Sequence, residues 1–388
     1  MAPLYFVVPW YPPNPAGGAE RLARDTVREL RARGVGARVL TTCVADFRDN
    51  WGVDALPRGA AVVDGVPVER FPVDERDWQL FDQVNLRIMR GEPITDAEAR
   101  VYAEENIRSR ALERRLAGLP ADARCIYLPY LHGTTYWGMR ARPGWLLPCL
   151  HDEPYARMPH VRELFAAATG VLCNATAERD LVLRMFPDAA GRTYAVGAGV
   201  PIDDAPRCAD RFRERTGIRG PFLLCVARKD HGKGVDVLLA DFARYAARRD
   251  GLDLVLIGPG SIPIPAAARG RVHDLGFVDE ELKRDAFAAA LAHCSPSLTE
   301  SFSIVLMESW LAGRPGLVNA RCAVTRDHVL SASGGLAYDG ADELAACLDW
   351  LLEHPAEAAR MGRNGGEYVR RNFAWDVVVA RFRRAIGV

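Results

Sequence analysis

Lysine is almost missing from this chain of 388 residues. Only Lys229, Lys233 and Lys283 occur, although lysine and arginine together number 50. We attribute this chain-wide preference for arginine to compositional bias. The 50 acidic residues balance the basic ones, so no overall field attracts the protein to nucleic acid or to an anionic membrane. We therefore expect no nucleic-acid partner.

Several other signals are absent as well. The nine cysteines include no closely spaced pair, which argues against a zinc knuckle or a redox pair and favours a reducing compartment. No run of 18 apolar residues could form a transmembrane helix, and the N-terminus lacks the features of a signal peptide. We expect a cytoplasmic protein without a transmembrane segment; peripheral attachment to a membrane and the oligomeric state stay open.

The absence of several known motifs excludes further classes of binding site and reaction. The sequence contains no strict Asp-x-Asp, no P-loop and no Gly-x-Ser-x-Gly elbow, and no complete Gly-x-Gly-x-x-Gly follows the first strand. These absences argue against a metal-chelated diphosphate, a serine hydrolase and a nicotinamide dinucleotide site. We predict no metal ligands and no cofactor.

Alternation of apolar strand-like runs with amphipathic helical segments predicts an α/β fold. A buried run at 4–8, a glycine turn and a helix open one series, and residues 222–226 open a second. We expect two doubly wound Rossmann-like domains facing a cleft, over residues 1–200 and 201–372. Residues 199–221 are the predicted linker, and the charged segment 75–119 is a predicted helical insertion in the first domain.

Ligands of open parallel sheets bind beyond the carboxyl ends of the strands, so the loops there carry the candidate site. The loop at 227–234 places Arg228 and Lys233 five residues apart, with glycines on either side of Lys233 at the start of a helix. Free N–H groups and the helix dipole favour an anion at such a position. The pattern fits either a diphosphate clamp or a solvated basic turn.

A second loop contains Glu300, and the helix that follows it contains Glu308 in its second turn. Seven residues separate the two glutamates. We expect Ser301 or Ser303 to be the N-cap, which leaves the N–H groups of Ser303, Ile304 and Val305 for a phosphate. One carboxylate would then accept hydrogen bonds from ribose hydroxyls and the other from sugar hydroxyls.

Two loops in the first half of the chain add weaker candidates. His151, in a loop that also contains Asp152, could bind a hydroxyl or transfer a proton, although a lone histidine is more often structural. Gly17 and Gly18 permit close approach of a ligand to the backbone. Aromatic residues, among them Tyr130 and Trp137, suit an acceptor pocket or the protein core equally well.

Together these motifs resemble glycosyltransferase family 4, the retaining enzymes with the GT-B fold. The family's Gly-Arg-x4-Lys-Gly loop matches residues 227–234, with Ala227 in place of the first glycine. Its paired glutamates match Glu300 and Glu308. Its Glu-Gly-Phe-Gly segment is Glu300-Ser301-Phe302-Ser303 here, its His-Asp pair is His151-Asp152, and its Gly-Gly-Ala-Glu is residues 17–20.

The resemblance implies metal-independent transfer from a UDP-, GDP- or similar nucleotide sugar to a hydroxyl of a glycan, a glycolipid or a natural product. Arg228 and Lys233 would hold the diphosphate, Glu308 the ribose, and Glu300 and His151 the donor sugar. The predicted catalytic residues are Arg228, Lys233, Glu300 and His151. It also implies a C-terminal helix, 373–388, that crosses back to the first domain. The remaining predicted contacts are Phe302, Ser303, Ile304, Val305 and Gly18 for the donor, and Gly17, Asp152, Tyr130 and Trp137 for the acceptor.

Three alternatives stay open at this point. A nucleotide-sugar epimerase or a sugar phosphorylase could use the same scaffold, and a non-catalytic protein could keep the sugar-nucleotide site without the chemistry. A dinucleotide-dependent oxidoreductase is disfavoured by the missing glycine fingerprint.

Overall fold

The computed structural model describes residues 3–13, 17–202 and 205–388. The predicted glycine turn after the first strand and the predicted linker at 199–221 therefore each include a few residues outside the described part. The chain divides into two compact units: Met1–Gly199 with Asp376–Val388, and Val200–Trp375. Each unit is a sheet with helices around it, and each is described below by itself.

The first unit contains an eight-stranded sheet in the order β3-β4-β2-β1-β5-β6-β7-β8. Every neighbouring pair is parallel except β3 and β4, which form an antiparallel hairpin at one edge. The strands are β1 (Leu4–Val7), β2 (Ala37–Thr42), β3 (Gly59–Val63), β4 (Val66–Phe71), β5 (Arg124–Tyr127), β6 (Trp145–Leu146), β7 (Gly170–Cys173) and β8 (Thr193–Ala195).

The second unit contains a six-stranded, wholly parallel sheet in the order β11-β10-β9-β12-β13-β14. Its strands are β9 (Phe222–Val226), β10 (Asp253–Ile257), β11 (Val272–Asp274), β12 (Ala292–Ser295), β13 (Gly316–Asn319) and β14 (Gly335–Tyr338). The central strands β9 and β12 are buried along almost their whole length, because helices cover both faces of a parallel sheet.

The helices follow the strands in alternation. They are α1 (Gly18–Ala32), α2 (Trp78–Met89), α3 (Asp96–Glu104), α4 (Arg110–Ala117), α5 (Gly133–Ala141), α6 (Pro159–Ala167), α7 (Thr176–Met185), α8 (Ala209–Thr216), α9 (Val235–Ala246), α10 (Glu280–Ala289), α11 (Ile304–Leu311), α12 (Ala323–Ala332), α13 (Ala341–Glu353), α14 (Pro355–Phe373) and α15 (Trp375–Ile386). The predicted α/β class with two Rossmann-like sheets is confirmed.

Three consecutive helices, α2 to α4, form the predicted insertion between β4 and β5. Each begins at a side-chain cap: Asp77 accepts from the Leu80 N–H, Thr95 forms a capping box with Glu98, and Ser109 accepts from the Leu112 N–H. Local capping therefore sets where these short helices start.

Part of the predicted linker forms helix α8. This helix is polar on nearly every face and buries only Phe212, which is why its sequence lacks an apolar pattern. Asp285 of α10, wholly buried, holds it by accepting from the Cys208 N–H at 2.7 Å and by pairing with Arg211. The sequence pattern did not predict this helix, because an ion pair and not an apolar face stabilises it.

The last helix, α15, packs within the first unit. Phe382 stacks on Phe6 of β1 with ring centroids 6.1 Å apart, and Asp376 pairs with Arg33 at the end of α1. Arg124 of β5 donates to the carbonyl groups of Ile386 and Gly387. The C-terminal helix is thus part of the core around the central strands of the first sheet.

Helix α11 packs against α14 at a glycine of α14, Gly365. A Cβ added at Gly365 would lie 2.2 Å from Cγ of Trp310, the largest wholly buried side chain. The Trp310 indole also donates to the Gly334 carbonyl at 2.7 Å, so it cannot move aside freely. Since α11 also contains Glu308, this close packing fixes the helix that carries a predicted donor-binding residue.

We predict that Gly365→Ala lowers the free energy of unfolding by about 1–3 kcal/mol, because overpacking a core costs that much. At an exposed helical position the same change would stabilise by about 1 kcal/mol, so the sign is diagnostic. Urea unfolding of the variant measures it, with the exposed Arg363→Ala in the same helix as the control. A more stable Gly365→Ala would contradict this description of the α11–α14 contact.

Candidate functional site

The loop after β9 is folded tightly against the loop after β12. A short 3₁₀ turn spans His231–Lys233, and the Asp230 side chain accepts from the Lys233 N–H at 3.0 Å. Gly234 then takes a left-handed conformation, with φ +68°, and a Cβ there would lie 2.7 Å from the Pro296 carbonyl oxygen. Glycine is required at this position for the two loops to meet.

An ion pair joins these loops. The Lys233 Nζ lies 2.7 Å from Glu300 Oε1, and the two side chains are only 28% and 16% exposed. Loops after β9 and β12 flank the point at which the strand order of this sheet reverses, which is where open α/β sheets bind ligands. The structure therefore brings these two predicted residues together.

Arg228 takes a different partner. Its Nε lies 3.2 Å from Asp230 Oδ2, and the side chain is 44% exposed. Asp230 thus orders the loop twice, through the Arg228 guanidinium and through the Lys233 N–H. The shared diphosphate clamp of Arg228 and Lys233 remains a prediction.

Helix α11 begins in an unexpected way. Ser303 is the N-cap residue, but it has φ +73° and its side chain makes no capping hydrogen bond. Its hydroxyl is buried and has no hydrogen-bond partner among the described residues. The predicted N-cap position is therefore confirmed at Ser303, but the serine side chain does not cap the helix, because the left-handed backbone turns it away from the helix N–H groups. The glycine expected from the family resemblance suits this backbone conformation better than serine does.

The other predicted residues of this segment have distinct positions. Phe302 is buried and packs edge-to-face on His328 and Phe373, so it is a core residue. Ile304 and Val305 are half-buried in the first turn of α11, where the first N–H groups of a helix lack partners within the helix.

Glu308, one turn further into α11, forms an ion pair that the sequence did not predict. Its Oε1 lies 3.2 Å from Nζ of Lys283, which also pairs with Glu280 at 2.8 Å. Lys283 lies in the first turn of α10, and its side chain is 11% exposed. The scarcity of lysine was the signal that could have identified it.

The third lysine of the chain, Lys229, also forms an ion pair with a carboxylate. It is almost wholly buried, and its Nζ lies 2.5 Å from Asp274 Oδ1 at the end of β11. All three lysines of the chain thus form ion pairs with carboxylates at one edge of one sheet. Below them in β12, burial lowers the pKa of His293 to about 4, so this histidine is neutral at physiological pH.

In the first unit, His151 follows β6 and is partly exposed. Its Nδ1 lies 3.5 Å from Glu153 Oε1, and the same oxygen accepts from the Tyr130 hydroxyl at 2.7 Å. Burial raises the pKa of Glu153, but hydrogen bonds from His151 and Tyr130 outweigh it, and the net shift is downward. Tyr130 itself is buried; a direct contact with an acceptor stays a prediction.

The remaining predicted residues of the first unit lie in the loop after β6, within α5 and at the start of α1. Asp152 is exposed and pairs with Arg157. Trp137 donates to the Ala103 carbonyl at 3.0 Å and lies under the Arg108 guanidinium.

Gly17 and Gly18 begin α1. A Cβ on Gly17 would collide with the Glu20 carboxylate, which accepts from the Trp10 indole at 2.7 Å. A Cβ on Gly18 would meet nothing within 4 Å. The space above the helix start is therefore open at Gly18 and filled by Glu20 at Gly17.

The described residues contain neither a metal-binding cluster nor a membrane-spanning helix. Within residues 3–13, 17–202 and 205–388, no group of three His, Cys, Asp or Glu side chains could hold a metal ion. In the same part of the chain, no helix is both long enough and apolar enough to cross a bilayer.

Comparisons with known proteins agree with the geometry. The family "Glycosyl transferases group 1" matches residues 220–354, the range that contains both loops and both glutamates. D-inositol 3-phosphate glycosyltransferase 2 of Catenulispora acidiphila is 27% identical over 299 residues, which cover 66% of this chain and 69% of that protein. The phosphatidyl-myo-inositol mannosyltransferase of Mycolicibacterium smegmatis is 32% identical over 219 residues, 54% of this chain and 55% of that protein.

Solved structures share the whole fold. Sucrose-phosphate synthase from Thermosynechococcus elongatus superposes with a TM-score of 0.71 at 18% identity, covering 99% of this chain and 98% of the other. Anabaena HepE in complex with UDP gives a TM-score of 0.71 at 16% identity, with 100% of both chains covered. Residues 220–354 thus match the group 1 glycosyltransferases, and the chain is a nucleotide-sugar-dependent glycosyltransferase with the GT-B fold.

Proposed function

We propose that the protein transfers a hexose from a nucleoside diphosphate sugar to a hydroxyl acceptor, with retention of anomeric configuration and without a metal ion. The observation that carries this proposal is the Lys233–Glu300 ion pair, which lies beside the start of α11 at the reversal point of the second sheet. An ammonium group, a carboxylate and helix N–H groups at one place suit a sugar attached to a diphosphate.

In the proposed complex, the cationic side chains bind the diphosphate of the donor. Lys233, Arg228 and the N–H groups of Ile304 and Val305 would hold its oxygens. Negative charge develops on the diphosphate as the bond to the sugar breaks, and donors already in place stabilise that charge most effectively. This interaction replaces the metal ion that other transferases use for the same purpose.

The two glutamates take the hydroxyl groups of the donor. Glu308 is one turn deeper in α11 and would accept from the ribose, with Lys283 fixing its orientation. Glu300 would leave Lys233 and accept from hydroxyls of the transferred sugar. His151, oriented by Glu153, would contact a hydroxyl of the transferred sugar.

Relatives support the choice of substrates. A Mycobacterium tuberculosis relative, 29% identical over 197 residues that cover 46% of this chain and 50% of that protein, is named as a GDP-mannose-dependent mannosyltransferase, whereas HepE was solved with UDP. We therefore propose a UDP- or GDP-linked hexose. The names of the two relatives described above specify inositol-containing acceptors, so D-inositol 3-phosphate is the first acceptor to test.

We also propose that the reaction takes place in the cytoplasm. All nine cysteines lie within the described residues and no two of them form a disulfide, which suits a reducing compartment.

Lys233→Ala and Glu308→Ala are each expected to weaken binding of UDP or GDP by about tenfold or more, because a hydrogen bond to a charged group contributes roughly 1.5–3 kcal/mol. Isothermal titration of each nucleotide into the purified protein measures this. Arg248 is an exposed cation just after the end of α9; Arg248→Ala is the matched control and should bind as the wild type does. Wild-type affinity for both nucleotides in Lys233→Ala would overturn the assignment of the diphosphate site.

The stereochemistry and the metal requirement form a separate prediction. Proton NMR of the product from UDP-glucose or GDP-mannose should show the anomeric configuration of the donor. The initial rate should be the same in excess EDTA as in Mg²⁺ or Mn²⁺, because protein cations stabilise the leaving group. An inverted product, or activity lost in EDTA and restored by a divalent ion, would contradict the mechanism. Free sugar formed without any acceptor as the sole product would favour an epimerase-like or non-transferring protein instead.

A further inference from the structure

A buried carboxylate lies directly beneath the loop that carries His151. Glu178, in the first turn of α7, has no solvent-exposed surface. Its Oε1 accepts from the Leu150 N–H at 2.6 Å, and its Oε2 accepts from the Asn174 N–H. One side chain thus ties together the loops that follow β6 and β7.

The loop that Glu178 holds has an unusual backbone. Cys149 has φ +53°, a left-handed conformation that non-glycine residues seldom adopt. Such conformations persist where the surroundings enforce them, and they concentrate at functional sites. The Asn174 side-chain amide lies 3.6 Å from Cys149 Sγ, so the same two loops are joined a second time at this residue.

Burial of a carboxylate needs an explanation, because removing the charge from water is costly. Burial raises the pKa of Glu178 to about 7, against the lowering effect of the N–H groups of Asn174 and Leu150. An apolar side chain would fill the same volume without that cost. What only a carboxylate supplies here is two acceptor oxygens for two N–H groups on different loops.

The imidazole of His151 is held from the other side. Glu153, itself fixed by the Tyr130 hydroxyl, lies 3.5 Å from Nδ1. The backbone immediately before His151 is held by Glu178 and its ring by Glu153. This arrangement leaves Nε2 as the nitrogen for a substrate hydroxyl.

We propose that Glu178 is a positioning residue for the transfer reaction: it fixes the backbone of the 149–151 loop so that His151 meets the donor sugar in the reactive geometry. The inference rests on the proposed function, in which His151 contacts that sugar. Glu178 itself touches no substrate and acts through His151.

The test is Glu178→Gln, which keeps the shape but replaces one acceptor oxygen with an amide nitrogen that faces an N–H group. We expect kcat to fall about tenfold or more, because small displacements of a positioned group cost that much. The affinity for UDP or GDP should stay at the wild-type value, since the residues proposed for the diphosphate belong to the second unit. In a His151→Ala background the same change should have no further effect on kcat.

Matched variants separate positioning from general damage. Asp285→Asn alters a buried carboxylate that also accepts a backbone N–H, but in the second unit; we expect a lower Tm and an unchanged kcat. Should Glu178→Gln fail to fold, Glu178→Asp, which keeps the charge on a shorter side chain, should show the same pattern.

The outcomes are distinguishable. If His151→Ala is impaired while Glu178→Gln has wild-type kcat, or if the two losses are additive in the double variant, the positioning role is overturned and the proposed function stands. If His151→Ala has wild-type kcat, the proposed role of His151 fails and this inference fails with it.

Discussion

The contact on which the site depends is the ion pair between Lys233 and Glu300. It bridges the loops after the two strands that flank the reversal of strand order in the second sheet. Gly234 permits this approach because it has no Cβ, and Asn319 secures the same place by donating to the Pro296 carbonyl at 3.2 Å. The pair keeps two partly buried charges compensated. In the proposed function, the diphosphate would take the place of Glu300 beside Lys233, and hydroxyls of the sugar would donate to Glu300.

Around this pair, the second unit is organised to keep α11 in place. The helix starts at a left-handed serine and packs on α14 where Gly365 allows Trp310 to lie flush against the backbone. Glu308 is therefore presented at a fixed depth, next to Lys283 of α10. The same sheet edge contains the third lysine, paired with Asp274. A chain that uses arginine almost everywhere retains lysine at three compensated positions, where a compact ammonium group fits better than a planar guanidinium.

Much of this could be predicted from the sequence, and the reasons are local. Buried strands followed by glycine turns and amphipathic helices predict the two α/β sheets. The positions of Lys233 and Glu300 on loops after strands, with Glu308 in the helix that follows, predict the donor site. The backbone conformation of Ser303 could not be predicted, because serine is ordinarily a good cap. Helix α8 was missed since an ion pair with Asp285, 74 residues after Arg211, stabilises it. Glu178 was missed for a similar reason: on a helix, a glutamate gives no sign that it is buried, and its partners come from two other loops.

The central claim is that the nucleoside diphosphate binds in the second unit, between the loop after β9 and the start of α11. A crystal structure of the protein with UDP or GDP tests it most directly. We predict phosphate oxygens within hydrogen-bond distance of Lys233 Nζ and of the first N–H groups of α11, with the ribose hydroxyls on the Glu308 carboxylate. A nucleotide found elsewhere, for example at Gly17 and Gly18 of the first unit, with the Lys233–Glu300 pair intact, would contradict the account.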